Sequence, residues 1–282
     1  MHAGYGGIRV SLSSEPTPPR GIATIVAPGV RRLVAGNAGP MTYHGTNTYL
    51  LDWDGGVLVI DPGPDDAVHV GHILGQAGAP ISGIVLTHGH HDHWGALPAL
   101  KAGTGAPVYA WHRPFAPEVR PDVSLKDGDR VGPLRAVFTP GHAPDHLCFV
   151  QADGTLFSGD VVMGWSTTVI GGRGGDMAAY FGSLDRLLAT ESTIYLPGHG
   201  PPMPKPRAYV SALRGHRLFR ETSIVSALGE GPMSLAGLTD RLYPGLDSAL
   251  RGAAEANVSA HLDKLEAEGR AMPSDAGWTA PA

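Results

Sequence analysis

The chain has 282 residues, of which 42% are hydrophobic and 17% are charged. This composition is that of a globular protein and excludes an intrinsically disordered one. A formal net charge of −5 argues against a surface built to bind nucleic acid, and no stretch reaches the roughly 18 apolar residues of a membrane span. Because the first residues also lack the apolar run of a signal peptide, we expect a cytoplasmic protein with no membrane partner.

Up to about residue 206 the sequence alternates between short β-like runs and Gly/Pro-rich turns, with two amphipathic helical segments. The run 82–87 is apolar and β-branched, which predicts a buried strand. Asp65 or Asp66 is expected to cap the first helix, and Asp176 the second. The predicted strands lie at 47–51, 56–63, 82–87, 106–111, 134–141, 146–160 (two strands joined by a turn) and 192–200, and the predicted helices at 65–78 and 176–190.

The pattern changes after the proline-rich segment 200–206, because nearly everything from 207 to 269 has helical periodicity. The tail 271–280 has the pattern of a small hairpin. Three helices followed by a hairpin is the order of a winged helix. We therefore predict two domains, a catalytic domain over 1–206 and a winged-helix-like domain over 207–282.

The stretch THGHHDH, residues 87–93, places four histidines and an aspartate directly after a predicted buried strand. Strand alternation turns His88 and His90 to the same side, and Asp92 and His93 begin the next helix near them. Such a group costs desolvation energy unless something satisfies it, and imidazole and carboxylate ligands without thiolates suit Zn²⁺, or Mn or Fe. His91 points away in this geometry and is expected at the surface. The alternative is a solvated polar loop.

Three further side chains that can bind metal follow predicted strands in glycine-rich loops. His142 lies in TPGH, Asp160 in SGD and His199 in PGHG. Glycine beside a ligand lets the backbone approach a metal closely. Each of these side chains taken alone is as readily a polar loop residue, but together they predict one metal site at the ends of the strands.

The motifs THGHHDH, TPGH, SGD and PGHG, in this order, resemble the motif series of the metallo-β-lactamase superfamily over roughly residues 20–205. The resemblance implies an α/β protein, an αββα sandwich, with two Zn²⁺ ions at one edge. The implied ligands are His88, His90 and His142 for one ion and Asp92, His93 and His199 for the other, with Asp160 bridging them. The resemblance also makes Asp92 and Asp160 catalytic, with a hydroxide between the ions attacking the substrate.

The implied bridging Asp160 limits the range of reactions that the resemblance implies. Members that cleave β-lactam antibiotics lack this aspartate, whereas members that cleave thioesters, phosphodiesters and related bonds carry it, so true β-lactamase activity is not expected. The segments GTNTYLL, TPGHAPDHLCF and NVSAHLDKLEAEGR are similar to the subgroup with a C-terminal β-lactamase-associated winged helix. That subgroup resembles a mitochondrial β-lactamase-like endoribonuclease that acts on single-stranded RNA.

Several residues near these motifs have alternative roles. His146 either donates a proton to the leaving group, as a catalytic residue, or orients a metal ligand. Asn47 and Thr48 either contact substrate or stabilise a turn. Asp61 is expected to accept a hydrogen bond from a metal-bound histidine. Cys148, the only cysteine, excludes an intrachain disulfide and lies in an apolar strand, where we expect it to pack in the core.

The predicted C-terminal domain is slightly acidic, with eight Lys/Arg and nine Asp/Glu over 207–282. Winged helices that read DNA present a basic recognition helix, and the candidate helix 248–268 is acidic. We therefore expect a lid or a wall of the substrate cleft rather than a DNA reader. If the substrate is RNA, Arg173 and the arginines of 207–220 are expected to face the cleft.

These observations favour a dinuclear zinc hydrolase that cleaves a thioester, ester or lactone of a small molecule. The first alternative is an endonuclease of single-stranded RNA. The second alternative is a nucleic-acid-binding or scaffold protein with a structural metal, although structural zinc sites are closed, four-coordinate and usually rich in thiolates. The expected partner is thus a small-molecule substrate or single-stranded RNA, and the sequence gives no oligomeric state.

Overall fold

Two β-sheets pack face to face in the structure, a computed structural model that describes residues 2–3, 10–172 and 174–281. A short antiparallel pair comes first, β1 (His2–Ala3) with β2 (Val10–Ser11). The first sheet has the order β3 (Thr24–Ala27), β4 (Val30–Val34), β5 (Asn47–Trp53), β6 (Gly56–Ile60), β7 (Ile81–Val85), β8 (Val108–Trp111) and β9 (Val123–Leu125). The second has the order β10 (Arg130–Val131), β11 (Leu134–Phe138), β12 (Leu147–Val150), β13 (Thr155–Gly159), β14 (Ile194–Pro197) and β15 (Met203–Pro204).

Seven helices occur in the part of the chain that the structure describes, and four of them contribute most to covering the outer faces of the two sheets. The seven are α1 (Ala67–Gln76), α2 (His91–Trp94), α3 (Leu97–Thr104), α4 (Met177–Leu188), α5 (Arg207–Leu228), α6 (Leu235–Leu242) and α7 (Arg251–Ala267). Apolar residues of α1 and α3 pack on the first sheet, and those of α4 and α5 pack on the second. Among the described residues, no helix is long and apolar enough to cross a membrane.

A third apolar cluster fills the space between the sheets and joins side chains from both of them. Tyr49 from β5 and Phe157 from β13 meet there with ring centroids 5.3 Å apart. The central strands β6, β7 and β13 are mostly buried on both faces because each sheet is covered on both sides. The predicted αββα sandwich is therefore confirmed.

Three of the strands that precede the site residues are parallel to a neighbour in their sheet, whereas β11, which precedes His142, is antiparallel to both of its neighbours. β7 is parallel to β6 and β8, and β13 is parallel to β14. The carboxyl ends of parallel strands lie at the same edge of a sheet, where open loops form binding sites. The loops after β7, β13 and β14 therefore bring residues that are far apart in sequence to one edge of the sandwich.

The predicted helix starts agree with the structure. The Asp66 side chain caps α1 by accepting a hydrogen bond from the amide of Val68, and Asp176 caps α4 through the amide of Ala179. The pair β3 and β4, helix α3 and the short strands β9, β10 and β15 were not predicted. The strand β4 carries two arginines, and its interrupted apolar pattern gives only a weak strand signal.

The C-terminal region has the predicted order of three helices and a hairpin. After α6 comes a 3₁₀ turn, Ser248–Leu250, then α7, and the hairpin consists of β16 (Met272–Ser274) and β17 (Gly277–Thr279). Helix α5 begins at Arg207, but its first turns pack in the catalytic half while its last turns pack with α6 and α7. One helix thus belongs to both cores, and the domain boundary at residue 206 stays a prediction.

Candidate metal centre

The loop after β7 turns several ring nitrogens toward one point. His88 Nε2 lies 2.9 Å from His90 Nδ1, and His142 Nε2, from the loop after β11, lies 3.0 Å from the same atom. These three atoms form one group of side chains that could hold a metal ion. Because His88 is buried and the other two are partly buried, the group opens to one side only.

A second group lies beside the first. His199 Nε2, after β14, is 3.2 Å from Asp92 Oδ2, and His93 Nε2 is 3.6 Å from that oxygen. Asp160, after β13, reaches both groups, because its Oδ2 is 3.5 Å from His93 Nε2 and 3.7 Å from His142 Nε2. The structure therefore brings all seven predicted ligands together, with Asp160 between the two sets.

The chemistry of these side chains fits a metal ion. His93 Nε2 and Asp160 Oδ1 are buried and have no hydrogen-bond partner among the described residues. Such buried polar atoms are costly unless an ion or a water molecule binds them. The donors are imidazole nitrogens and carboxylate oxygens, a set that suits Zn²⁺, Mn or Fe. His91 is exposed, as predicted, and the free Cys148 is buried in the core.

Burial and charge act in opposite directions on the histidines. Burial lowers the pKa of His90 to about 4 and that of His88 well below its usual value, so both rings are neutral and keep a free lone pair. Burial also opposes the charging of His199, but Asp160 and Asp92 outweigh it and raise the pKa of His199 to about 9. The part of the site around Asp92 and Asp160 thus favours a positive charge, and a metal cation can supply it.

Asp61 lies beneath the cluster and fixes the orientation of both Thr87 and His93. Its carboxylate accepts hydrogen bonds from the Thr87 amide at 2.8 Å and the Thr87 hydroxyl at 2.7 Å, and it contacts His93 Nδ1 at 2.9 Å. A hydrogen on Nδ1 leaves Nε2 of His93 free to face the cluster. The predicted role of Asp61 as an acceptor for a ligand histidine is confirmed in geometry.

We expect Asp61→Asn to reduce metal affinity roughly 10- to 100-fold, as is typical when the partner of a ligand histidine is lost. An amide nitrogen opposite His93 Nδ1 favours the tautomer whose hydrogen is on Nε2, the atom that faces the cluster. The backbone of Asp61 has φ 51°, a conformation that asparagine tolerates well, so the fold should persist. Zinc titration against a competing chelator measures the affinity, and Asp52→Asn, at an exposed carboxylate, is the matched control. An unchanged affinity would contradict the role of Asp61.

His146 is completely buried behind the cluster. Its Nδ1 lies 2.9 Å from the Thr139 hydroxyl, and its Nε2 accepts a hydrogen bond from the Asp160 amide at 3.1 Å. Burial, followed by the positive field of His142, holds the pKa of His146 well below its usual value. Both nitrogens are therefore engaged within the protein. Of the two predicted roles, this geometry supports the one that positions Asp160 and offers no proton to a leaving group.

Asn47 and Thr48 also support the site rather than face it. The Asn47 amide group donates to the carbonyls of Pro197 and Gly200, each at 2.8 Å, and so holds the loop that carries His199. The Thr48 hydroxyl donates to the Asp61 carbonyl at 2.7 Å. Of the two predicted roles, the structure therefore favours the stabilisation of a turn over contact with substrate.

A cavity of about 550 Å³ opens above the cluster and is lined by both halves of the chain. His90, Asp92, His142, Asp160 and His199 form its floor. Met163 and the segment 165–167 contribute from the sandwich, whereas the opposite side comes from α5, α7 and the segment between α6 and α7. The expectation that the C-terminal region forms a wall of the cleft agrees with this arrangement.

Most of the arginines that were expected to face the cleft do not do so. Arg207 is exposed and donates to the Leu188 carbonyl, and Arg214 pairs with Asp185 at 2.6 Å. Arg217 is buried outside the cavity lining. Arg220 alone of these four lines the cavity. The expectation for 207–220 was therefore wrong in three of four positions, because helical periodicity turns neighbouring arginines to different faces. Arg173 lies outside the described residues.

Apart from Arg220, sequence reasoning missed the residues that reach the cavity from the second half. Among them are His216 from α5 and Tyr243 after α6. Thr46 was missed as well, although its hydroxyl lies 3.3 Å from Asp92 Oδ2. His216 and Tyr243 belong to no short motif, and only the spacing of His216, four residues before Arg220 on α5, could have indicated its place.

Two family models match the chain. The model of the metallo-beta-lactamase superfamily covers residues 41–199, and the model of the beta-lactamase associated winged helix domain covers residues 234–278. The first match contains every predicted ligand, and the second contains α6, α7 and the hairpin.

Curated relatives and a solved structure extend this similarity over most of the chain. The chain is 32% identical to the beta-lactamase-like protein 2 homolog of Drosophila melanogaster, over 88% of this chain and 91% of that protein. It is also 32% identical to an atrochrysone carboxyl ACP thioesterase of Aspergillus chevalieri, over 78% of this chain and 72% of that protein. A beta-lactamase domain protein from Burkholderia ambifaria superposes with a TM-score of 0.81 at 25% identity, over 95% and 96% of the two chains.

Proposed function

This chain belongs to the metallo-beta-lactamase superfamily, and we propose that it is a dinuclear zinc hydrolase that cleaves a thioester, ester or lactone of a small molecule. One observation carries the proposal. The Asp160 carboxylate lies between two sets of ligand atoms, and that cluster forms the floor of a cavity. A bridging carboxylate at the bottom of a pocket is suited to hold two ions beside a substrate.

The residues divide the work of holding the ions. His88, His90 and His142 would hold one ion, Asp92, His93 and His199 the other, and Asp160 both. Two bound zinc ions would polarise the carbonyl under attack and lower the pKa of an attacking water. The role of the protein is to hold these ligands in place. Asp61 contacts His93 and His146 contacts the amide of Asp160, so that the ligand side chains reorganise little during the reaction.

The cavity favours a small molecule over a polynucleotide. A volume of about 550 Å³ lies in the range of small-ligand pockets, and much of the lining is apolar, including Met163, Val169 and Leu250. Three of the four arginines of 207–220 do not line it. The thioesterase name of one relative agrees with this choice. A structural metal is disfavoured as well, because five of the ligand residues line the cavity and the centre is open rather than closed.

The proposal is tested by comparing the cleavage of thioesters, lactones and RNA by the same preparation of the protein. Zinc-loaded protein is incubated with a panel of acyl thioesters and lactones, a single-stranded RNA and a matching RNA duplex, beside chelator-treated protein to which zinc is then returned. We expect turnover of at least one thioester or lactone that is lost on chelation and recovered with zinc, and intact RNA. Zinc-dependent cutting of the single strand with untouched thioesters and lactones would instead assign the endonuclease.

A further inference from the structure

The wall of the cavity contributed by α5 carries positive charge. Arg220 is buried there, and His216 lies one helical turn before it on the same face. Next to them in the helix is Arg217, which is completely buried and donates to Asn257 Oδ1 at 3.0 Å. Two guanidinium groups thus lie at or close behind one wall of the pocket.

No carboxylate neutralises these two arginines within the part of the chain that the structure describes. The ion pairs of the C-terminal region leave both of them out. The nearest acid in sequence, Glu221, is turned away and pairs with Lys264 at 3.0 Å and with Arg270. A buried cation without a counter-ion is unfavourable, so an anion that enters the cavity can supply the counter-charge that the protein lacks there.

Polar atoms of Arg220 and His216 at this wall also lack hydrogen-bond partners among the described residues. Arg220 Nη1 donates to the Leu242 carbonyl at 2.6 Å, and the guanidinium lies 4.3 Å from the centre of the Tyr243 ring, which fixes its position. Arg220 Nε and His216 Nδ1 are buried and have no hydrogen-bond partner among the described residues. Burial, with Arg217 and Arg220 nearby, lowers the pKa of His216 to about 3, so its neutral ring accompanies the charged Arg220.

We propose that Arg220 is a specificity-determining residue that binds an anionic group of the substrate, joined by an apolar segment to the bond that is cleaved. This inference rests on the proposed function, because the same cavity has the metal ligands as its floor. Met163, Val169 and Leu250 supply apolar surface in the lining. A substrate that matches this lining has a polar reacting end, an apolar middle and a negative end. Bidentate contact with a guanidinium suits a carboxylate or a phosphate equally.

Three series of thioester substrates distinguish a carboxylate on the acyl chain from a phosphate on the leaving thiol as the anion. One series carries a free carboxylate at the far end of the acyl chain and has neutral N-acetylcysteamine as leaving thiol. A second has the same acyl chains with the carboxylate capped as a methyl ester. A third has uncharged acyl chains on phosphopantetheine, so that the phosphate lies on the leaving side. We expect one of the anionic series to have a KM lower by roughly tenfold or more than the capped series, as a charged hydrogen bond warrants.

The variant Arg220→Gln should remove this preference, so that the anionic and the capped series have KM values within about twofold of each other. Arg220→Lys should restore part of it, because the charge returns without the planar fork. Arg214→Gln, on the same helix but in an exposed pair with Asp185, should leave the preference unchanged. Equal KM values for anionic and capped substrates in the unaltered protein, or a preference that persists in Arg220→Gln, would overturn the inference while leaving the hydrolase intact.

A binding measurement separates this inference from the proposed function. Calorimetry on metal-depleted protein compares a dicarboxylic acid monomethyl ester with its dimethyl ester, and neither ligand requires hydrolysis. We expect the free carboxylate to bind roughly tenfold more tightly, and Arg220→Gln to abolish the difference. This result would uphold the anion site even if no thioester or lactone were cleaved. Equal binding of the two ligands by folded protein would overturn it.

Discussion

Replacing Asp160 with alanine is expected to reduce hydrolysis by about a thousandfold or more and to lower the bound metal below two ions per chain. The Asp160 carboxylate approaches His93, His142 and His199 at 3.4–3.7 Å, so it is the one acidic group common to both ligand sets. Losing a bridged ion removes several kcal/mol of transition-state stabilisation, and each ~1.4 kcal/mol is a factor of ten in rate. Steady-state kinetics and elemental analysis of the same samples measure the two effects.

The fold of this variant should remain intact, because the alanine removes an unpaired buried oxygen and the backbone amide keeps its bond to His146. Circular dichroism checks that. His91→Ala is the matched control, since this histidine lies in the THGHHDH motif beside the predicted ligands but is exposed. The turnover of His91→Ala should stay close to that of the parent. An Asp160→Ala protein that turns over substrate like the parent and retains two ions would refute the bridging role.

Substituting Gly198 with alanine should cost roughly a hundredfold in activity although no ligand is changed. A Cβ at this position would collide with Asp160 Oδ1 and would lie 2.7 Å from His93 Cε1, closer than real contacts of a Cβ. Two predicted ligands, His93 and the bridging Asp160, would have to move, and a displacement of about 1 Å can cost around a hundredfold in rate. Kinetics with a zinc titration should show weaker metal binding together with slower turnover.

Gly71 provides the comparison for this change. It lies in α1, is exposed, and has open space where a Cβ would stand. Gly71→Ala should keep full activity and gain up to about 1 kcal/mol in stability, because alanine favours helix. If Gly198→Ala were as active as Gly71→Ala, the space around Asp160 and His93 would not be required for the reaction.

The His/Asp cluster of the candidate metal centre could be predicted because its signals are local. The ligands lie in the loops that follow strands, in stretches whose apolar run and glycine turn are visible in the sequence. Parallel strands then force their ends to one edge, so residues as distant as His88 and His199 meet without any signal that joins them directly. The partner of His93 was predictable for the same reason, since Asp61 also follows a strand.

The substrate side of the cavity could not be predicted in this way. Arg220 and Arg214 lie six residues apart on one helix, yet one lines the cavity and the other pairs at the surface. Their difference depends on how α5 packs against α4 and α7, which is a long-range property. The roles of His146 stayed open in the sequence because a buried histidine and a catalytic one have the same spacing; only its contacts with Thr139 and Asp160 distinguish them.

Anomalous X-ray scattering from crystals of the zinc-loaded protein tests the central claim most directly. We predict two zinc peaks roughly 3.5–4 Å apart, both in contact with the Asp160 carboxylate. The ligand nitrogens and oxygens should lie about 2.0–2.2 Å from the ions. One ion should be held by His88, His90 and His142, and the other by Asp92, His93 and His199. A single closed four-coordinate zinc, or no zinc at these residues in folded protein, would contradict the dinuclear hydrolase.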